Sequence, residues 1–320
     1  LQFFKDRKVD FAVLEVGLGG RLDATNAPKK KAVCAITSIS RDHTQYLGED
    51  LKTIAFEKAG IITQDISVVV GVDREKNDEA FWVIGKIAME RGCDLMSVGQ
   101  TEEDNLAYRI PSSDASGLIA DYMLQGEHVI EGIRIPLMGD YQARNAGMAL
   151  AIAQLLVEDE FIPEDRMSID IVKKGIAKTK WRGRAELGKY LERDWLFDTA
   201  HNPEALGKVK EVLKQNFADR EKVLLFGVME DKDYQEPLLE LLPLFKKVVL
   251  CRPKLPRSQN PGLIRDFVVT KGEVSKDDVF VVEDCAEAAG KAVELAGDGG
   301  LIVNTGSIFC VSEVLTHLEG

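Results

Sequence analysis

Short apolar runs alternate with longer segments whose apolar residues recur at helical spacing along almost the whole chain. Strands are predicted at 9–16, 32–38, 66–72, 194–200, 222–228, 246–251, 278–283 and 300–305. Helices are predicted at 51–62, 77–91, 141–157, 168–178, 203–215, 235–245, 284–296 and 308–318. Such alternation builds parallel sheets covered by helices, so the expected class is α/β. Residues 105–138 break the rhythm with short alternating segments around Gly117, Gly126 and Gly132, which predicts β-hairpins added to the first domain. A helix stops near Lys178 and Trp181-Arg182-Gly183-Arg184 opens a new unit, so domains are expected at 1–178 and 179–320, the first of them incomplete.

One run changes the picture from fold to chemistry: Leu14-Glu15-Val16-Gly17-Leu18-Gly19-Gly20-Arg21-Leu22-Asp23-Ala24-Thr25-Asn26. An apolar strand that ends in a carboxylate and a glycine loop is how a parallel sheet presents a charged ligand site, beyond the carboxyl ends of its strands. A dinucleotide fingerprint counted from Gly17 requires Gly or Ala at position 22, where this chain has Leu22. It also requires a helix directly after the loop, whereas Asp23, Thr25, Asn26 and Pro28 are turn formers. A tight turn without a ligand is the remaining alternative, since glycine mainly signals unusual backbone angles.

Composition narrows the partners. The 320 residues are 45% hydrophobic and 29% charged with a net charge of −12, which argues against a nucleic-acid-coating surface. No apolar run reaches the length of a membrane span and no secretory signal stands at the start. Cys34, Cys93, Cys251, Cys285 and Cys310 are widely spaced without a C-x-x-C pair, which fits buried, reduced thiols in a cytoplasmic protein.

Four further segments carry candidate chemistry. Asp42 and His43 follow a strand end, where with Glu15 they would suit a divalent cation; a loop histidine that only hydrogen-bonds is the alternative. Lys58, in Glu57-Lys58-Ala59-Gly60-Ile61, shares a helical face with Leu51, Ile54 and Ala55, and is either desolvated and reactive or paired locally with Glu57. Gln142 and Asn145 are three apart on the helix after Gly139-Asp140-Tyr141, and two amides at that spacing could read an adenine edge. Asp198-Thr199-Ala200-His201-Asn202-Pro203 ends another strand and puts His201 at a helix N-terminus, with Arg184 upstream as a phosphate partner. Asp231-Lys232-Asp233 and Gly306-Ser307 repeat the strand-end placement.

In this order these motifs resemble the folylpolyglutamate synthase/dihydrofolate synthase family of the Mur ligase superfamily, over nearly the whole chain. The set includes Leu14–Asn26, Asp42-His43-Thr44, Glu57–Ile61, Trp181–Arg184, Asp198–Pro203, Asp231–Asp233 and Thr305-Gly306-Ser307. The resemblance implies two Rossmann-like domains with mostly parallel sheets, the first of the Mur-ligase central-domain type. It implies ATP-dependent addition of L-glutamate to a folate or dihydropteroate carboxylate through an acyl phosphate, in a cytoplasmic monomer. By the same resemblance Glu15, His43 and a carbamylated Lys58 hold Mg²⁺. Arg184 and His201 meet phosphates and act with Lys58 in catalysis; Asp198 meets the ribose, Gln142 and Asn145 the adenine, and Ser307 lies in the nucleotide site.

Two departures stand out. The family's G-x-x-G-K-[ST] phosphate loop, expected upstream of Glu15, is nowhere in the sequence, and Tyr141 stands where relatives often carry His. The chain is therefore expected to be the C-terminal three-quarters or so of a ligase and inactive by itself. A non-catalytic nucleotide-binding module and another Mur-type amino-acid ligase are the competing readings.

Overall fold

The computed structural model describes Leu1 to Gly320 apart from Lys29, His43, Glu127, Glu273 and the side chain of His128. The strands are β1 (Val33–Ile36), β2 (Ser67–Val70), β3 (Leu95–Gly99), β4 (Leu106–Asp114), β5 (Gly117–Leu124), β6 (His128–Ile135), β7 (Glu186–Tyr190), β8 (Arg193–Phe197), β9 (Lys222–Phe226), β10 (Lys247–Leu250), β11 (Val279–Val281) and β12 (Leu301–Thr305). The helices are α1 (Gln2–Asp6), α2 (Thr44–Leu47), α3 (Leu51–Ala59), α4 (Arg74–Glu90), α5 (Tyr141–Glu158), α6 (Ile169–Ile176), α7 (Pro203–Asn216), α8 (Gln235–Leu241), α9 (Pro261–Lys271), α10 (Cys285–Ala296) and α11 (Ile308–Glu319).

One sheet has the order β1-β2-β3-β4-β5-β6 and is parallel from β1 to β4. Every residue of β2 is buried, which explains its unbroken Val68-Val69-Val70: a strand covered on both faces has no polar side to alternate with. Ile54, Ala55 and Ala59 of α3 and Ala80, Phe81 and Ile84 of α4 close the core over this strand.

The other sheet has the order β11-β10-β9-β12-β8-β7, parallel except where β7 meets β8. Its two faces carry separate cores. Leu196, Leu224 and Val303 point to one with Leu206 and Val209 of α7, whereas Trp195, Phe197 and Ile302 point to the other with α10 and α11. The strict alternation within β8 and β12 is the two-residue period of a pleated strand.

The chain divides into two compact units, Leu1–Tyr108 with Tyr122–Ile130 and Arg144–Val172, and Arg109–Asp121 with Glu131–Ala143 and Lys173–Gly320. The division crosses the hairpin strands and α5 rather than falling at one point of the sequence.

Most predicted elements are present within a few residues, and the hairpins of 105–138 are β4, β5 and β6. The predicted strand at 9–16 is not one: the segment is irregular, and Val13 is 97% exposed. An apolar run becomes a strand only where a neighbour supplies its hydrogen bonds, and no strand among the described residues pairs with it. Five of these strands and helices were not anticipated: β3, β7, α1, α2 and α9.

Candidate functional site

In the first unit, the glycine loop and the end of α3 form one body. A Cβ on Gly20 would stand 3.0 Å from the carbonyl oxygens of Glu57 and Lys58, and a Cβ on Gly60 would stand 2.3 Å from that of Arg21. Only glycine allows two backbones to approach so closely. The Arg21 N–H donates to the Glu57 carbonyl at 2.8 Å, and the Asn26 amide donates to the carbonyls of Arg21 and Gly60 at 3.1 and 3.2 Å. Lys31 reaches Asn26 and the Ile61 carbonyl.

Asp23 organises the loop. Its Oδ2 accepts the N–H groups of Gly17 and Leu18, each at 3.0 Å, and its Oδ1 accepts the Thr25 N–H and hydroxyl at 2.8 and 2.6 Å. The Thr25 hydroxyl, followed by these backbone donors, holds its carboxyl down at about 2. Gly19 and Gly20 therefore serve chain packing, and two motifs some thirty residues apart in sequence are one structural unit.

Lys58 follows from the same docking. Glu57 turns to Arg21, and Lys58, on the next position of α3, is half-buried. Burial pulls its ammonium below the ordinary lysine value, while the charge of Asp42 opposes that shift. Glu15 lies exposed in the irregular segment before the loop, and His43 is outside the described residues.

In the second unit, β8 delivers Asp198, a carboxylate only 5% exposed. Its two oxygens accept the N–H groups of Ala185 and Ala200, both at 2.8 Å. Burial raises its carboxyl above the ordinary range; those two donors and the charges of Arg184 and His201 act the other way. Asp198 thus ties the Gly183–Glu186 turn to the strand end, and Thr199 N–H closes the tie on the Gly183 carbonyl at 2.9 Å. Arg184 is exposed. Its guanidinium remains available to an anionic partner while feeling Asp198 and Tyr141.

His201 is half-buried, with Nδ1 at 2.9 Å from the Thr199 carbonyl. That contact favours a proton on Nδ1 and leaves Nε2 as the acceptor. Asn202 caps α7 through Ala205 N–H at 2.9 Å, with Pro203 in the first turn as predicted.

Tyr141 belongs to this group, although its sequence marked it only as a variation. Burial, then the Asp198 charge, pushes its phenol up to about 12, with Arg184 opposing. The signal was its place beside Gln142 at the start of α5. Next to it, Asp140 accepts from Gln215 at 3.1 Å through Oδ2, while its buried Oδ1 has no partner among the described residues.

The remaining predicted residues separate. Gln142, in the second unit, is buried, and Asn145, in the first, is exposed. Ser307 is 2% exposed and its hydroxyl is fully engaged: it donates to the Gly227 carbonyl at 2.8 Å and accepts the Cys310 N–H at 3.0 Å as the cap of α11. Asp231 pairs with Arg257 at 2.8 Å.

Comparison with known proteins supplies the family. A family model described as the Mur ligase middle domain matches residues 1–153, and one described as the Mur ligase glutamate ligase domain matches residues 183–308. The dihydrofolate synthase/folylpolyglutamate synthase of Bacillus subtilis is 29% identical over 319 residues, covering 100% of this chain and 70% of the relative. A probable bifunctional folylpolyglutamate synthase/dihydropteroate synthase of Haloferax volcanii is 31% identical over 324 residues, and the match spans 99% of this chain but only 35% of that relative's length. The folylpolyglutamate synthase of Mycobacterium tuberculosis, solved with ADP and AMPPCP, superimposes with a TM-score of 0.86 at 29% identity, covering 99% of this chain and 70% of that one. A bifunctional folylpolyglutamate synthase/dihydrofolate synthase from Yersinia pestis, solved with AMPPNP and a Mn ion, gives 0.80 at 27% identity, covering 100% and 70%. With models of two Mur ligase domains matched in order over most of its length, the chain belongs to the Mur ligase family, and the relatives it aligns with are folylpolyglutamate and dihydrofolate synthases.

Proposed function

We propose that this chain carries the central and C-terminal parts of a ligase that joins L-glutamate to the carboxylate of a folate or dihydropteroate at the expense of ATP. The γ-phosphoryl group passes to that carboxylate, the glutamate amine attacks the acyl phosphate, and phosphate leaves. A carboxylate has no adequate leaving group until it is phosphorylated, so positioning and charge neutralisation carry most of the catalysis.

The observation that carries the reading is the strand-end group of Arg184, Asp198 and His201 in the unit matching the glutamate ligase domain model. In this reading exposed Arg184 donates to phosphate oxygens, and His201 meets them through Nε2 once that nitrogen also carries a proton. Asp198, fixed by two backbone donors, meets a ribose hydroxyl, and Gln142 and Asn145 meet the adenine.

The donor chemistry in the first unit fits a hard divalent cation such as Mg²⁺: an exposed carboxylate at Glu15 and a half-buried amine at Lys58 that a carbamate would convert into an oxygen anion. His43 would complete the set. When bound, the cation neutralises phosphate charge. Residues 1–178 and 179–320 are the proposed ATP-binding and ligase domains of a cytoplasmic monomer, and no described helix is long and apolar enough to cross a membrane.

Phosphate release by the full-length protein tests the reading. Release is expected only when ATP, L-glutamate and a reduced folate or dihydropteroate are all present. Release with a cell-wall precursor and an amino acid instead would move the chain to another Mur-type branch. Nucleotide binding without any turnover would leave a non-catalytic module.

A further inference from the structure

Cys251, Cys285 and Cys310 come from three separate elements and meet in the core of the second unit. Cys251 follows β10, Cys285 is the first residue of α10, and Cys310 lies in the first turn of α11. Their sulfur atoms stand 3.4 Å (Cys251–Cys310) and 3.5 Å (Cys285–Cys251) apart, and all three lie within 4.8 Å of one another. None of the reactions proposed above uses them.

The surroundings hold groups that can stabilise negative charge on sulfur. The N-termini of α10 and α11 both open at the cluster, and the positive end of a helix dipole stabilises a thiolate. The buried Asn304 amide adds a donor to the Cys310 sulfur at 3.3 Å. An ordinary apolar core position would offer a thiol none of these. An open depression at the surface is lined by Arg252, Pro253, Lys254, Glu283 and Asp284, which include the chain neighbours of Cys251 and Cys285. Glu313 stands beside Cys285, its carboxylate fixed by the Lys254 N–H at 2.7 Å.

We propose that the three sulfurs form a binding site for a divalent thiophilic cation of the zinc class. On binding, three S–H bonds break, three protons leave to solvent, and three metal–sulfur bonds form. A zinc–sulfur distance of about 2.3 Å in tetrahedral geometry sets the sulfurs about 3.8 Å apart, so the two short pairs need to open by only about 0.3–0.4 Å. A divalent ion leaves one net negative charge in this core, offset by the two helix termini and Asn304. A monovalent soft ion would leave two, which the apolar wall of Trp195, Phe197 and Ile302 does not offset.

Cadmium, a spectroscopic stand-in for zinc, gives the test. The reduced, chelator-treated chain is titrated with Cd²⁺ and followed by sulfur-to-cadmium charge-transfer absorption. Cys34 and Cys93 are a second source of sulfur ligands, so the decisive protein is the Cys34→Ala/Cys93→Ala variant. It is expected to develop the band and saturate at one equivalent. Adding Cys310→Ala is expected to weaken binding by about a hundredfold. Should that variant fold poorly, zinc is still expected to raise the melting temperature of the Cys34→Ala/Cys93→Ala protein, because binding to the folded state alone stabilises it. Absence of a saturating band together with an unchanged melting temperature in that protein would overturn the site, leaving three packed thiols.

Discussion

The guanidinium of Arg21 grips the carboxylate of Glu57 through a fork: Nε lies 3.1 and 3.2 Å from its two oxygens, and Nη2 lies 2.9 Å from Oε1. The pair is partly exposed, at 44% and 19%, so its own contribution is only about 1 kcal/mol. Its larger consequence is geometric. It fixes the glycine loop on α3, immediately before the half-buried Lys58.

The close approach beneath that pair is testable by glycine substitution. Gly60 has helical angles, φ −59° and ψ −16°, so alanine there is strained only by collision with Arg21. Gly60→Ala is expected to cost about 1–3 kcal/mol, since the loop must move. Gly85, within α4, has open space where a Cβ would go, and Gly85→Ala is expected to stabilise by about 0.5–1 kcal/mol. Urea midpoints measured on both variants check the contrast; equal effects at the two sites would show that the loop is not docked.

Asp23 predicts a pH dependence. Its folded value is about 2 against an ordinary 3.8, so it stabilises the folded chain above the ordinary value and loses that effect as the pH falls through about 2. The stability advantage of the natural chain over Asp23→Asn should therefore shrink as the pH is lowered across this window. Denaturant titrations at several pH values measure it. An advantage that stays level would mean that Asp23 does not hold the loop.

The parallel core was legible because buried strands and amphipathic helices leave periodic apolar patterns, as in β2 and α7. The Asn-Pro start of α7 was read correctly, yet the same signal at Asn260-Pro261 went unread among neighbouring prolines, and α9 was missed with it. The run at 9–16 looked like a strand because hydrophobicity reports an appetite for burial, not the presence of a pairing partner. In the candidate site, the placement of Asp198 at a strand end and of His201 beside a helix cap was legible from their neighbours. Tyr141 and the three-cysteine cluster depend on long-range convergence, which residues 251, 285 and 310 do not announce by spacing.

Arg184 and Ser307 should separate nucleotide binding from stability. Arg184 is exposed with its charge free to meet phosphate, and Arg184→Ala is expected to weaken ATP binding about 10- to 100-fold with little change in folding. Ser307 has both hydrogen-bonding roles of its hydroxyl filled by protein, and Ser307→Ala is expected to cost about 1 kcal/mol of stability while ATP affinity holds. Calorimetric titration of the full-length protein and its melting temperature together read both effects. Loss of ATP affinity in Ser307→Ala at unchanged stability would return Ser307 to the nucleotide site.

Lys58 carries the last expectation. Carbamylation requires the neutral amine: its lone pair attacks carbon dioxide, a proton leaves to solvent, and a carbamate anion remains. Half-burial lowers the Lys58 value, so a larger share of the amine is neutral at a given pH than on an exposed lysine. Carbon-labelled bicarbonate is expected to give one carbamate carbonyl resonance that grows as the pH rises and is absent from Lys58→Arg. Arginine keeps the positive charge but cannot lose its proton under these conditions. In the full-length protein the same variant should bind ATP yet transfer phosphate poorly, because a cation would stand where the carbamate supplies oxygen ligands. A resonance that survives in Lys58→Arg, or unimpaired turnover by that variant, would remove Lys58 from the reaction.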